Sequence, residues 1–289
     1  MFSVDSLDNA VGGAGSPVSG YRDGPDLSLL TFSTGLFSLT YQLGHSNVQA
    51  AKNQCAPAAV ANSLTWLKDT KGLRVPDPNI PGLRDDVSPN DTSLVGKLEK
   101  DMHRGVRSRT DGDGVWPLDG KLQYLADTGL FGNLVVKHRG GGGDGAGGIL
   151  DGSSDYSSHG VTSSGQGDTV IWDWIRSEIA HGEDVELEFQ FRSGGAHYVD
   201  VTGVGTILGV PFITHVSDQI QTDADPDDTR GTKTVQFDFM LGTYLTSEHA
   251  DVVQAISESV VPEPSTYGLI GAAVLGLAVW LRRCRPRGA

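Results

Sequence analysis

Cysteine is almost missing: the 289-residue chain has two, Cys55 and Cys284. A pair so far apart cannot supply a disulfide framework, and Cys55 is expected as a thiol. Positive charge is also short. With Lys and Arg at 22 against Asp and Glu at 36, the net charge of -14 excludes a nucleic-acid partner, which needs a basic face. No basic, apolar leader precedes Asp26, so no secretory signal is visible at the N-terminus. No three- or four-ligand spacing marks a zinc site. The acidic runs 223–231 and 110–116 lack the placed glycine and closing glutamate of a calcium loop. The glycine tract 139–167 has no phosphate-binding lysine and no strand–helix context, so no nucleotide, metal or other cofactor is expected.

What remains is an ordinary apolar content, enough for one core domain between two atypical ends. Residues 1–44 read as an arm with one or two strands in "LSLLTFSTGLFSLTYQL". Helices are expected at 55–68, with Pro57 in the first turn and Gly72 beyond the end, in "TSLVGKLEKDMHR", at 117–130, and in "TVIWDWIRSEIAHG". Strands are expected in "NLVVKH", "DVELEFQF", "AHYVDVTGV", "PFITHVSD" and "KTVQFDFML". The tract 139–167 reads as a flexible loop, and 247–261 as a closing helix or linker. Helices first and strands later indicate an α+β domain over 45–246, N-terminal helices packed on an antiparallel sheet.

The end of the chain, 262–289, has three parts in order. Pro262-Glu263-Pro264 comes first, then the uncharged apolar run Tyr267–Leu281, then Arg282, Arg283, Arg285 and Arg287. The run is read as a short transmembrane helix, and the arginines fit a cytoplasmic flank with the main domain on the other side. This arrangement resembles the PEP-CTERM sorting signal. The resemblance implies export in a Gram-negative bacterium, membrane attachment through 267–281 and an exosortase-type processing enzyme as partner.

Cys55 opens an apolar helical pattern, where the positive end of the helix dipole favours a thiolate. Gln49 lies six positions earlier. His197 follows a glycine pair at the start of a strand about 140 positions later, and Asp218 closes the next strand. "QAAKNQCAPAAVANSLTWL" with "GGAHYVDVTG" resembles papain-like cysteine peptidases of the double-glycine-leader type. That resemblance implies a papain-like fold and a peptide or protein substrate. It also implies roles: Cys55 the nucleophile, His197 the base, Asp218 its orienter, Gln49 the oxyanion donor. Three departures stand beside it: Ala196 between glycine and histidine, Ala-Pro after the cysteine, and Gln219 after the aspartate. A catalytically silent surface protein and a thioester acyltransferase are the alternatives. His215 reads as a surface or core histidine, His138 lies in or beside the flexible loop, and His45 shows no partner pattern.

Overall fold

Two strands of the sheet are unusually long, and they explain the topology. The computed structural model describes residues 28–46, 48, 54–76, 93–102, 117–141, 161–165, 167–216 and 235–261. Among them lie ten strands: β1 (Leu29–Ser33), β2 (Phe37–Gln42), β3 (Leu134–Gly140), β4 (Val161–Gly165), β5 (Asp184–Phe191), β6 (Ala196–Ile207), β7 (Val210–Val216), β8 (Gln236–Leu241), β9 (Tyr244–Leu245) and β10 (Ala250–Val260). The helices are α1 (Cys55–Lys71), α2 (Leu94–Met102), α3 (Pro117–Asp127) and α4 (Trp172–Ala180).

Strands β5 to β10 pair antiparallel in sequence order, and β10 returns to pair with β5. The result is a closed six-stranded barrel. β6 and β10 are long enough to take third neighbours. β2 pairs with the second half of β6 and carries β1, while β3 pairs with the second half of β10 and carries β4, in parallel. Strand alternation then sorts the side chains. Val185, Leu187, Phe189, Val199, Val201, Ile213, Met240, Leu245 and Val252 fill the barrel, joined by Ile175 and Ile179 of α4. The helix-facing side meets a second core of Leu64, Trp66, Leu67, Leu98, Met102, Leu118, Leu122 and Leu125.

α1 forms because its first turns are alanine-rich and its buried face is continuous from Ala56 to Leu67. It stops at Gly72, whose left-handed backbone donates its N–H to the Leu67 carbonyl, with Lys68 and Lys71 near the negative end. In β10 the register slips between Val252 and Gln254, a bulge at Val253. The Val253 carbonyl accepts from Gly141 N at 2.8 Å.

The expected papain-like α+β fold, an antiparallel sheet under N-terminal helices plus a C-terminal transmembrane helix, is therefore corrected. The sheet closes on itself, because β10 supplies the sixth staves of a barrel. That strand falls within the expected closing helix or linker 247–261. Ala, Gln and Glu in "ADVVQAISESV" favour helix locally, but β5 on one edge and β9 and β3 on the other override that preference. No helix among the described residues is long and apolar enough to cross a membrane, and Tyr267–Leu281 lies outside them. The end of the glycine tract, expected as flexible loop, contributes β4.

Gly140 ends β3 with φ +75°, and a Cβ there would collide with the Val253 carbonyl oxygen. Gly140→Ala is expected to destabilise the protein by about 2 kcal/mol or more, since left-handed strain and overpacking add. Urea denaturation followed by far-UV circular dichroism measures it, and an unchanged midpoint would contradict the bulge geometry.

Candidate functional site

Cys55 is the first residue of α1, and it is partly exposed where the next twelve residues are buried. The helix opens with Ala58 N donating to Gln54 O at 2.9 Å. The Gln54 side chain does not cap it; its Nε2 donates instead to Glu99 Oε2 of α2 at 2.6 Å, fixing the approach of α2. No acidic side chain stands in the first turn of α1. Cys55 packs against the helical core and lies within electrostatic reach of Tyr198.

His197 is the second residue of β6, after a hairpin built on Gly194 (φ +96°) and Gly195 (φ +89°). The Gly195 carbonyl accepts from Phe191 N at 3.0 Å and Gln190 Nε2 at 2.8 Å. His197 pairs with Phe189, its ring stacks on Phe191 at 6.4 Å, and it acts electrostatically on His215 and Glu248. Alternation along β6 sends His197 toward the barrel side and Tyr198 toward the helices. Cys55 thus lies within electrostatic reach of Tyr198, and His197, one residue earlier, within reach of His215 and Glu248. Gln49 and Asp218 lie outside the described residues.

Tyr198 is a participant that sequence reasoning missed. Its hydroxyl donates to Gln254 Oε1 at 3.2 Å, and Gln254 Nε2 approaches His138 Nε2 at 3.4 Å. Burial pushes His138 down to about 4, so its ring is neutral and able to accept.

Charge is concentrated where an apolar seam would be usual. The helix-facing side of the barrel carries Asp184, Glu186, Asp200 and Glu258, all buried. Into it α3 sends Lys121, whose Nζ lies 2.6 Å from both Glu186 Oε1 and Glu258 Oε2. Ser63 of α1 donates to Glu258 Oε2 at 3.0 Å. His45 Nδ1 meets Asp200 Oδ2 at 2.7 Å, and its ring lies flat against Trp66. As carboxylates, neither Asp184 oxygen finds a donor among the described residues. Burial, then the Asp200 charge, hold Asp184 well above the usual range; burial and Glu186 do the same to Asp200. Glu186 rises to about 7, because burial outweighs the attraction of Lys121 and Glu258 adds repulsion. One lysine cannot neutralise two carboxylates, so this layer holds protons at neutral pH. A signal for Lys121 existed: it lies three residues from Leu118 and four from Leu125, on the apolar stripe of α3. The acidic alternation of "DVELEFQF" gave none, since a buried acid layer and a solvent face look alike.

Three groups of described side chains gather possible metal-ligand atoms within 4.8 Å. In His45–Asp184–Asp200 the histidine is already hydrogen-bonded to Asp200, and in Asp184–Glu186–Glu258 the Lys121 ammonium takes the cation's place. His215–Asp238–Glu248, at the barrel end where β6 begins, contains neither arrangement.

The chain matches the PEP-CTERM protein-sorting motif over residues 260–283. That motif marks an exported protein whose C-terminal tail is handled by an exosortase-type enzyme. No curated protein matches the chain.

Lys121→Met is expected to destabilise the fold by about 3 kcal/mol or more, because it strands Glu186 and Glu258. The pH dependence has a definite sign. A carboxyl with a raised folded pKa adds stability that is complete below its unfolded value and lost as pH rises through the folded one. For Glu186 that loss runs from the ordinary 4.5 up through about 7 and then levels off. The neutral His138 and His215, lowered to about 4 and about 3, act oppositely, but their contribution is complete once pH passes the ordinary 6.5. Stability should therefore fall between about pH 6.5 and 8, and fall less in Glu186→Gln, as urea midpoints across that range will show.

Proposed function

We propose that this exported chain is a thiol-dependent hydrolase of peptide or other amide bonds. Cys55 is the nucleophile and His197 the proton carrier, with Asp218 orienting His197 and Gln49 joining the Cys55 N–H as oxyanion donor. The observation that carries this reading is the position of Cys55: a partly exposed thiol heading a 17-residue helix with no acidic residue in its first turn. A helix N-terminus stabilises a thiolate there, and the backbone N–H groups of that turn point toward incoming negative charge. His197 stands next in sequence to Tyr198, on which Cys55 acts electrostatically, at a strand end preceded by glycines.

The chemistry balances with no oxidant or cofactor. His197 takes the Cys55 proton, and sulfur bonds to the carbonyl carbon. The C–N bond breaks as His197 returns the proton to the departing amine. Water then cleaves the thioester, releasing the acid and restoring the thiol. The reaction requires the His197 ring to swing around the end of β6 from the side occupied by Phe191. A second reading, a surface protein that performs no thiol chemistry, is favoured by the present neighbours of His197, namely Phe191, His215 and Glu248.

The test uses the full chain carrying Cys284→Ser, an electrophilic thiol probe and a fluorogenic peptide library. Probe labelling and peptide cleavage are expected to vanish in Cys55→Ala, and cleavage to drop about 100-fold or more in His197→Ala. Equal turnover in Cys55→Ala would remove the thiol reading, as would labelling of Cys55 without any cleavage. Transfer of the acyl group to added amine in preference to water would assign the acyltransferase variant.

A further inference from the structure

The His215 imidazole is fully buried inside the barrel, edge-on to Phe189 at 5.4 Å, on a strand flanked by β6 and β8. Neither of its ring nitrogens has a hydrogen-bond partner among the described residues. A buried polar group left in this state is costly, and in native proteins such a group calls for a ligand or other specific cause. Its surroundings supply one. Asp238 projects from β8, and Glu248 from the turn between β9 and β10; one ligand atom from each lies within 4.8 Å of His215 and of the other. The closest approach to the imidazole is Glu248 Oε1, 4.0 Å from Nε2.

We propose that His215, Asp238 and Glu248 form a binding site for a divalent transition-metal ion of the zinc class. The donor set is one imidazole and two carboxylates, which suits borderline cations and disfavours copper(I). Bonds of about 2.0 to 2.2 Å set ligand atoms roughly 3 to 3.5 Å apart, so the observed spacing needs only a small inward movement of the carboxylates.

Asp238 is already oriented for the task. Its Oδ1 accepts from Thr246 Oγ1 at 3.1 Å and Ser247 N at 2.8 Å, and its Oδ2 accepts from Glu248 N at 3.0 Å. These bonds fix the carboxylate and tie down the turn bearing Glu248, as outer partners do around bound metals. Among the described residues neither carboxylate is paired with lysine or arginine. Glu248 keeps 22 % of its side chain exposed, which gives the ion a way in and leaves a coordination position facing solvent. Cys55 has no part in this site, and the metal assignment stands without the thiol chemistry, although His197 acts electrostatically on both His215 and Glu248.

The test uses the full chain with Cys55→Ser and Cys284→Ser, which removes both thiols as ligands, after exhaustive dialysis against a chelator. Zinc titration by calorimetry should show one equivalent bound with a rise in thermal midpoint. Cobalt(II) should give the visible absorption of a low-coordinate site. Glu248→Gln, at a partly exposed position, should weaken zinc binding about 10- to 100-fold while the apo protein keeps its circular dichroism. His215→Gln should do the same and erase the cobalt spectrum, whereas His181→Ala, an exposed imidazole, should change nothing. Absence of zinc binding, or binding unaffected by Glu248→Gln and His215→Gln, would overturn the assignment.

Discussion

The fold turns on one ammonium group. Lys121 is wholly buried and touches Glu186 on β5 and Glu258 on β10 at equal distance. Those two strands are where the barrel closes, so a single cation on α3 clasps the closing seam from outside. Ser63 adds a bond from α1 to the same Glu258. A buried charge tolerates few arrangements, because displacement leaves an unpaired ion in a medium of low polarity. The helices are thereby registered on the barrel more strictly than their leucine contacts alone would achieve.

Around this clasp the acids outnumber the bases, and protons make up the difference. Asp184 and Asp200 lie side by side, and His45 continues the chain toward Gln42. The layer is a hydrogen-bonded network whose connectivity depends on how many protons it holds. Tyr198, Gln254 and His138 extend polar contacts across the same face, close to Cys55. The helix-facing side of the barrel is thus both the structural joint and the environment of the candidate nucleophile.

Much of this was legible in the sequence, and what was missed has physical reasons. α1, α4 and β5 to β8 show the periodicities that local pattern can report, and Cys55 stands where a helix start was expected. Barrel closure was not legible, since it depends on β10, whose residues favour helix in isolation and become strand only between two partners. The acid layer was hidden for a related reason: alternation separates the two faces of a strand without saying what covers each. His215 shows the same limit. It reads as an unremarkable histidine until strand pairing brings Asp238 and a distant turn beside it. The sorting tail needed no folding context, because its signal is carried by composition and order alone.

β10 runs its 11 residues from the end bearing Glu248 to the end where Leu134 pairs with Val260 and Val261 N bonds Asn133 O. The sorting motif begins at residue 260, with almost no slack after the last bond of the sheet. At about 3.3 Å per residue the strand is a rigid spacer of roughly 35 Å. The His197 hairpin and the His215 cluster lie toward its far end. One rigid strand therefore separates the His197 hairpin and the His215 cluster from the residue at which the sorting motif begins, like a handle set apart from its tool.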